Sequence, residues 1–269
     1  MQEFFIVEAN LRAAMRFFGE ATGKGEIQHL DGAAAIYSGL DYGVFNIGLL
    51  ERPTPALASP LLRPRPDLEH CVESCAAYFG ARTPRWSFWL CEDLLERHER
   101  RRVRQTFEAR AMRMISNPPG MYADALTPPA HRLPEIECCP AADARTREAF
   151  ADITAVNFDI PPTVARAVYL PERAWAGAYR GFVGYAKGRA VSIVSVVAAA
   201  NVLGVYSLST LPEFRRRGYG EAVLRAALDR ERARTGLEHI VLQSTDAGYS
   251  LYRRIGFRDV TRFSVWLTR

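Results

Sequence analysis

Apolar and polar positions along this chain follow two periods, and each change of period marks an element. Over residues 1 to 18 the apolar Phe5, Ile6, Leu11, Met15 and Phe18 are broken by Glu8, Arg12 and Arg16 at helical spacing; Gly19 and the Thr22–Gly25 turn end the helix. Ile27 to Leu30 and Ala33 to Tyr37 flank Asp31-Gly32, a hairpin signal, and Gly43 to Leu50 reads as a third strand. Prolines between Leu50 and Asp67 forbid regular structure. Asp67 then caps a helix to Phe79, with Leu68, Cys71, Val72, Cys75 and Ala76 on one face. Trp86 to Leu90 is a dense apolar strand, residues 92 to 104 a charged helix, and 106 to 115 with 121 to 125 complete the half.

A similar order follows. Glu135 to Cys139 is a strand; Ala141 to Asn157 and Pro162 to Leu170 are helices joined through Phe158-Asp159-Ile160-Pro161. Strands at Arg180 to Lys187 and Ala190 to Ala200 share a Lys187-Gly188 turn, and Val202 to Leu211 forms a central strand that Pro212 stops. A helix with Ala222, Val223, Ala226, Ala227 and Leu228 on its apolar side precedes a strand at Glu238 to Gln243. A helix ending at Gly256 and a strand at Arg258 to Thr268, with Val260, Phe263, Val265 and Leu267 alternating, close the chain. This is a mixed α/β pattern. It predicts two tandem domains, 1–126 and 135–269, joined by a proline-rich linker at 127–134.

At 269 residues, 48% of them hydrophobic, the chain is long enough for two cores and carries no signature of disorder. The net charge of +5 comes from arginine, since Lys24 and Lys187 are the only lysines. In the basic run Arg97 to Arg104, Glu96 and Glu99 are interleaved at helical spacing, which predicts a solvated helix face rather than a nucleic-acid surface. Five cysteines without a C-x-x-C pair, and no secretory leader, predict reduced thiols in a cytoplasm. His70, Cys71 and Cys75 lack further ligands at metal spacing, and no stretch is long and apolar enough to span a membrane.

The candidate chemistry lies in LSTLPEFRRRGYG, from Leu208 to Gly220. A strand, a glycine turn and a helix present free backbone N–H groups at a helix N-terminus, where phosphate is favoured. Gly218 and Gly220 leave the main chain open to it, and Arg215, Arg216 and Arg217 add charge.

Arg215, Gly218 and Gly220 stand as R-x-x-G-x-G after a strand, and Leu251, Tyr252, Gly256 and Phe257 as L-Y-x-x-x-G-F after the next. In that order the two motifs resemble the GNAT superfamily of acyl-CoA-dependent N-acetyltransferases. The resemblance implies acetyl-CoA as cofactor and a small-molecule or peptide amine as acceptor. It is a resemblance in element order alone for residues 1–126, which are expected to bind no acyl-CoA. Cofactor contacts are implied at Leu208, Ser209, Thr210, Arg215, Arg216, Arg217, Gly218, Tyr219, Gly220, Thr245, Tyr249 and Tyr252. A bulge in the strand before the turn is implied as well. By register with Pro212 its freed N–H, aimed at the thioester oxygen, is expected at Thr210, with Ser209 or Leu211 as neighbours. Tyr252 takes the place of the family's general acid. Thr245 stands where the family carries asparagine. Asn157, Phe158, Asp159 and Ser207 are candidates for acceptor contact; no carboxylate on the central strand offers a general base. Transfer of a longer acyl group, or acyl-CoA sensing without turnover, are the alternatives, in a monomer or a homodimer.

Overall fold

The computed structural model describes residues 2–54 and 66–269, so the expectation of an irregular proline-rich run falls, for 55–65, outside the described residues. The chain divides into two compact units that exchange terminal segments. Met1–Phe17 joins Met121–Asp259 in one, and Val260–Arg269 joins Phe18–Gly120 in the other. The division therefore differs from the expected 1–126 and 135–269, and hydrogen bonding explains the difference. Asn10, early in helix α1 (Glu3–Ala21), donates through Nδ2 to Val197 O and Ala199 O at 3.0 Å each. Residues 127–134 are no free tether: Thr127 N bonds Ile255 O at 3.0 Å, and Pro134 Cδ lies 2.9 Å from where a Cβ on Gly218 would stand.

In the smaller unit β1 (Glu26–His29), β2 (Ala33–Tyr37) and β3 (Ile47–Leu50) form an antiparallel meander. Helix α2 (Leu68–Gly80) crosses over to β4 (Ser87–Cys91), which runs parallel to β3. The strand expected from Gly43 begins only at Ile47. The buried Asn46 side chain accepts from Ser38 N and donates to Leu40 O and Arg85 O, which holds Gly43–Phe45 as a 3-10 turn. The helix expected over 92–104 is broken into a 3-10 turn, α3 (Arg97–Arg100) and α4 (Val103–Glu108). Glu96 and Glu99 form a capping box that starts α3 afresh. Within the basic run Arg100 pairs with Asp93 and Arg104 with Glu108. Strand β5 (Met112–Ser116) and β4 both pair with β12 (Arg258–Thr268), and the last ten residues of the chain, Val260–Arg269, complete this unit; Phe107 stacks on Trp266 at 4.7 Å in its core.

The larger unit repeats the motif with longer strands. Around β6 (Pro119–Ala123), β7 (Glu137–Pro140), β8 (Tyr179–Ala186), β9 (Arg189–Ala199), β10 (Val202–Thr210) and β11 (Ile240–Gln243), the order is β7-β8-β9-β10-β11-β6. Here α7 (Tyr219–Thr235) is the crossover from β10 to the parallel β11. Helices α5 (Ala144–Phe158) and α6 (Pro162–Tyr169) pack on each other, and α8 (Asp246–Arg254) follows β11. Leu203 and Val205 of β10 face a core with Val223, Leu224 and Ala227 of α7 and with Tyr252, Ile255 and Phe257. Gly204 and Tyr206, by strand alternation, face the other side, where α1 lies.

Candidate functional site

Strand β10 carries one extra residue. Tyr206 pairs with Ser195 of β9, but the next partners are Ser209 and Ile193, so three steps on β10 match two on β9. Ser207 absorbs the bulge at φ +53°, a left-handed conformation that costs a non-glycine residue on the order of 1–2 kcal/mol. The inserted residue reverses the direction of every amide beyond it. Before the bulge Leu203 N bonds His239 O toward β11; after it Leu211 N bonds Val191 O toward β9. Alternation then turns the N–H groups of Leu208 and Thr210 toward β11.

β11 is no longer there to receive them. The parallel pairing ends at Val205↔Leu242, while β10 runs on to Thr210. A gap with two inward backbone donors opens between the strands. Of the expected oxyanion positions, Thr210 faces this gap, whereas Leu211 and Ser209 are turned to β9. Leu208, the first residue past the bulge, joins Thr210; the sequence gives no count of the bulge and so could not place it.

The gap leads into the glycine turn. Gly218 caps α7 at φ +85°, and the first-turn N–H groups of Tyr219, Gly220 and Glu221 have no carbonyl within the helix. A Cβ on Gly220 would stand 3.1 Å from Thr210 Oγ1, so the turn closes directly on the strand end. Arg216 is held at φ +59°, and Arg215, Arg216 and Arg217 are exposed. These are the features a diphosphate requires: open main chain, unpaired donors, a helix dipole and positive charge.

Arg215 is also a structural tie. Its guanidinium donates to Thr210 O at 3.1 Å and to Asn157 Oδ1 at 2.7 Å. It thereby ties the end of α5 to the end of β10, and Asn157 enters the site as a brace. Phe158 (44% exposed) and Asp159 (left-handed, φ +51°) follow at the α5 terminus and face solvent.

Tyr252 of α8 is 8% exposed, stands edge-on to Phe257 at 5.6 Å and is packed under Gly248. Burial pushes its phenol well above the ordinary value, so the proton stays on at neutral pH. Thr245 is spent locally, its side chain accepting from Gly248 N to cap α8. Tyr249 is exposed and donates to Asp259 at 3.1 Å. On the opposite face of β10, Ser207 Oγ shares a 2.9 Å hydrogen bond with Tyr179 OH, and Tyr206 OH donates to Asn10 Oδ1 at 2.7 Å. Asn10, far away in sequence, had no motif to announce it; its only signal is an amide set among Val7, Leu11 and Ala14.

The equivalent place in the smaller unit is filled by its own carboxylates. At the start of α2, Asp67 accepts from His70 N, and the buried Glu99 accepts from Leu68 N at 2.9 Å and from Thr54. β3 ends at Leu50, one residue beyond its last pair with β4, so no comparable gap opens among the described residues. Among the described residues no cluster of His, Cys, Asp or Glu is able to hold a metal, and no helix is long and apolar enough to cross a membrane.

Residues 142–257 match the model of the acetyltransferase (GNAT) family. Over nearly the whole chain the fold is similar to a GCN5-related N-acetyltransferase from Kribbella flavida, with TM-score 0.68, 17% identity, and 98% of this chain and 95% of that one covered. It is also similar to a GCN5-related N-acetyltransferase from Sphaerobacter thermophilus, with TM-score 0.57, 16% identity and coverage of 97% and 91%. A putative GNAT acetyltransferase from Novosphingobium aromaticivorans gives TM-score 0.51, 15% identity and 95% coverage of each chain. At these identities the likeness is one of fold. A search of curated proteins returns no match.

Proposed function

We propose, from the match of residues 142–257 to the acetyltransferase (GNAT) family model, that the protein moves an acetyl group from acetyl-CoA directly to a primary amine. The observation that carries the reading is the gap past Val205, lined by the inward amides of Leu208 and Thr210 and continuous with the open turn at Gly218 and Gly220.

Acetyl-CoA supplies an activated thioester; the chain supplies orientation, a dipole and a proton. First-turn amides of α7, with Arg216 and Arg217, hold the diphosphate, while Thr210 lies along the pantetheine arm. Leu208 N–H polarises the thioester carbonyl, in place of the Thr210 amide expected from sequence; oxyanion donors of this kind contribute roughly 2.7–4 kcal/mol. As the amine nitrogen bonds to the acetyl carbon and the carbon–sulfur bond breaks, Tyr252 gives its proton to the departing thiolate. The proton lost by the amine leaves to solvent. The smaller unit, whose α2 terminus is closed by Asp67 and Glu99, serves as scaffold and binds no cofactor.

Titration calorimetry with coenzyme A, followed by thiol release from acetyl-CoA across a panel of primary amines, tests the reading. One site per chain and amine-dependent thiol release are expected. Saturable binding without release would make the protein an acyl-CoA sensor, and no binding would end the proposal.

A further inference from the structure

The direction of the Leu208 amide hangs on one residue. Leu203 N bonds His239 O, toward β11, and strand alternation carried on from there without a bulge would turn the Leu208 N–H toward β9. The residue inserted between Tyr206 and Ser209 sends it into the gap instead. That residue is not glycine. Ser207 is held at φ +53°, a conformation serine disfavours, so its backbone preference argues for the regular strand.

Its side chain supplies the restraint. Ser207 Oγ shares a 2.9 Å hydrogen bond with Tyr179 OH of β8, two strands away, so the phenol reaches across β9 to the bulge. The Tyr169 side chain of α6 interacts with the same serine. Neither ring is free to drift. Tyr179 is 5% exposed and stacks on Phe17 of α1 at 4.1 Å. Tyr169 stacks on Phe17 from a centroid distance of 5.6 Å, and its carbonyl accepts from Trp175 Nε1 at 3.0 Å. Burial pushes both phenols above their ordinary value, so the hydroxyls keep their protons at neutral pH. Phe17 lies outside residues 142–257, yet it belongs to the same compact unit as the bulge.

We propose that Tyr179, through its hydrogen bond to Ser207, holds the bulge of β10 and so keeps the Leu208 N–H aimed at the thioester oxygen. Tyr179 and Ser207 are positioning residues, which act on the acetyl group only through the Leu208 amide. The inference deepens the proposed transfer reaction and rests on it.

The test uses the full-length protein, acetyl-CoA labelled with carbon-13 at the thioester carbonyl, and ethylamine and tyramine as acceptors. Isotope-edited infrared spectroscopy reads the carbonyl stretch, which a hydrogen bond from Leu208 N–H lowers in the native complex relative to free acetyl-CoA. Tyr179→Phe removes the hydroxyl and keeps the stack on Phe17; Ser207→Ala removes the other partner. Each is expected to return the stretch toward the free value and to lower kcat about tenfold, the order of one hydrogen bond, with coenzyme A affinity unchanged. The double variant should lose no more than either single one. An unchanged stretch and kcat in both variants, with the native protein active and its stretch lowered, overturns this inference alone. So does a loss of coenzyme A affinity that matches the loss of kcat, which is the mark of general damage to the unit. A native protein without amine-dependent thiol release overturns the transfer reading and this inference together.

Discussion

Gly204→Ala reverses the usual sign of a strand substitution. Alanine in place of glycine within a strand ordinarily stabilises by roughly 0.5–1 kcal/mol, because glycine loses more conformational freedom on folding. Here the added Cβ would stand 1.8 Å from Asn10 Oδ1 and 2.8 Å from Tyr206 Cε2, both in the buried contact between α1 and β10. The Asn10 amide must leave. It gives up its two shorter donated bonds, to Val197 O and Ala199 O, and the bond from Tyr206, at about 1 kcal/mol each. Set against the conformational gain, the net loss is about 2 kcal/mol, or a fall in Tm of roughly 4–8 °C for a unit of this size. Gly80→Ala is the control: Gly80 ends α2 with no atom within 4 Å of its added Cβ, and the change should hold or raise Tm. Thermal unfolding followed by circular dichroism reads both. If Gly204→Ala melts at or above the native temperature, the keyed insertion of α1 into the larger unit is refuted.

Three further substitutions bear on the site and its surroundings. Gly218→Asp forces a side chain onto a φ of +85°, toward Pro134, and puts negative charge where the proposed reading seats the diphosphate; calorimetry should find no coenzyme A binding. Tyr252→Phe keeps the packing against Phe257 and removes the proton, so kcat should fall by about a hundredfold while coenzyme A affinity stays. Equal kcat would discharge Tyr252 from its role. Glu8, 6% exposed, has its carboxyl pushed up to about 7 by burial, which the Arg12 guanidinium only partly offsets. The folded state then holds a proton that the unfolded chain releases near 4.5, so stability is fullest below that pH and declines until about 7, by about 3 kcal/mol in all. Glu8→Gln should flatten this decline and raise Tm at pH 8, and a Tm–pH curve identical to the native one would contradict it.

What the sequence determined by itself was local. The hydrophobic periods set out the strands and helices of both units, Asp67 marked the start of α2, and the spacing of Arg215, Gly218, Gly220 and Tyr252 pointed to the GNAT family, whose model matches residues 142–257. These features are carried by neighbouring residues, whose propensities and turn chemistry act over a few positions. The tertiary structure alone decided the rest. Which amides face the gap depends on one inserted residue at Ser207, and a strand's sequence does not say where its partner slips. Arg215 looked like a phosphate ligand, and only the fold brings Asn157 within 2.7 Å of it. The exchange of terminal segments and the meeting of Asn10 with Tyr206 arise between residues nearly two hundred positions apart, where long-range packing and the need to satisfy buried amides prevail.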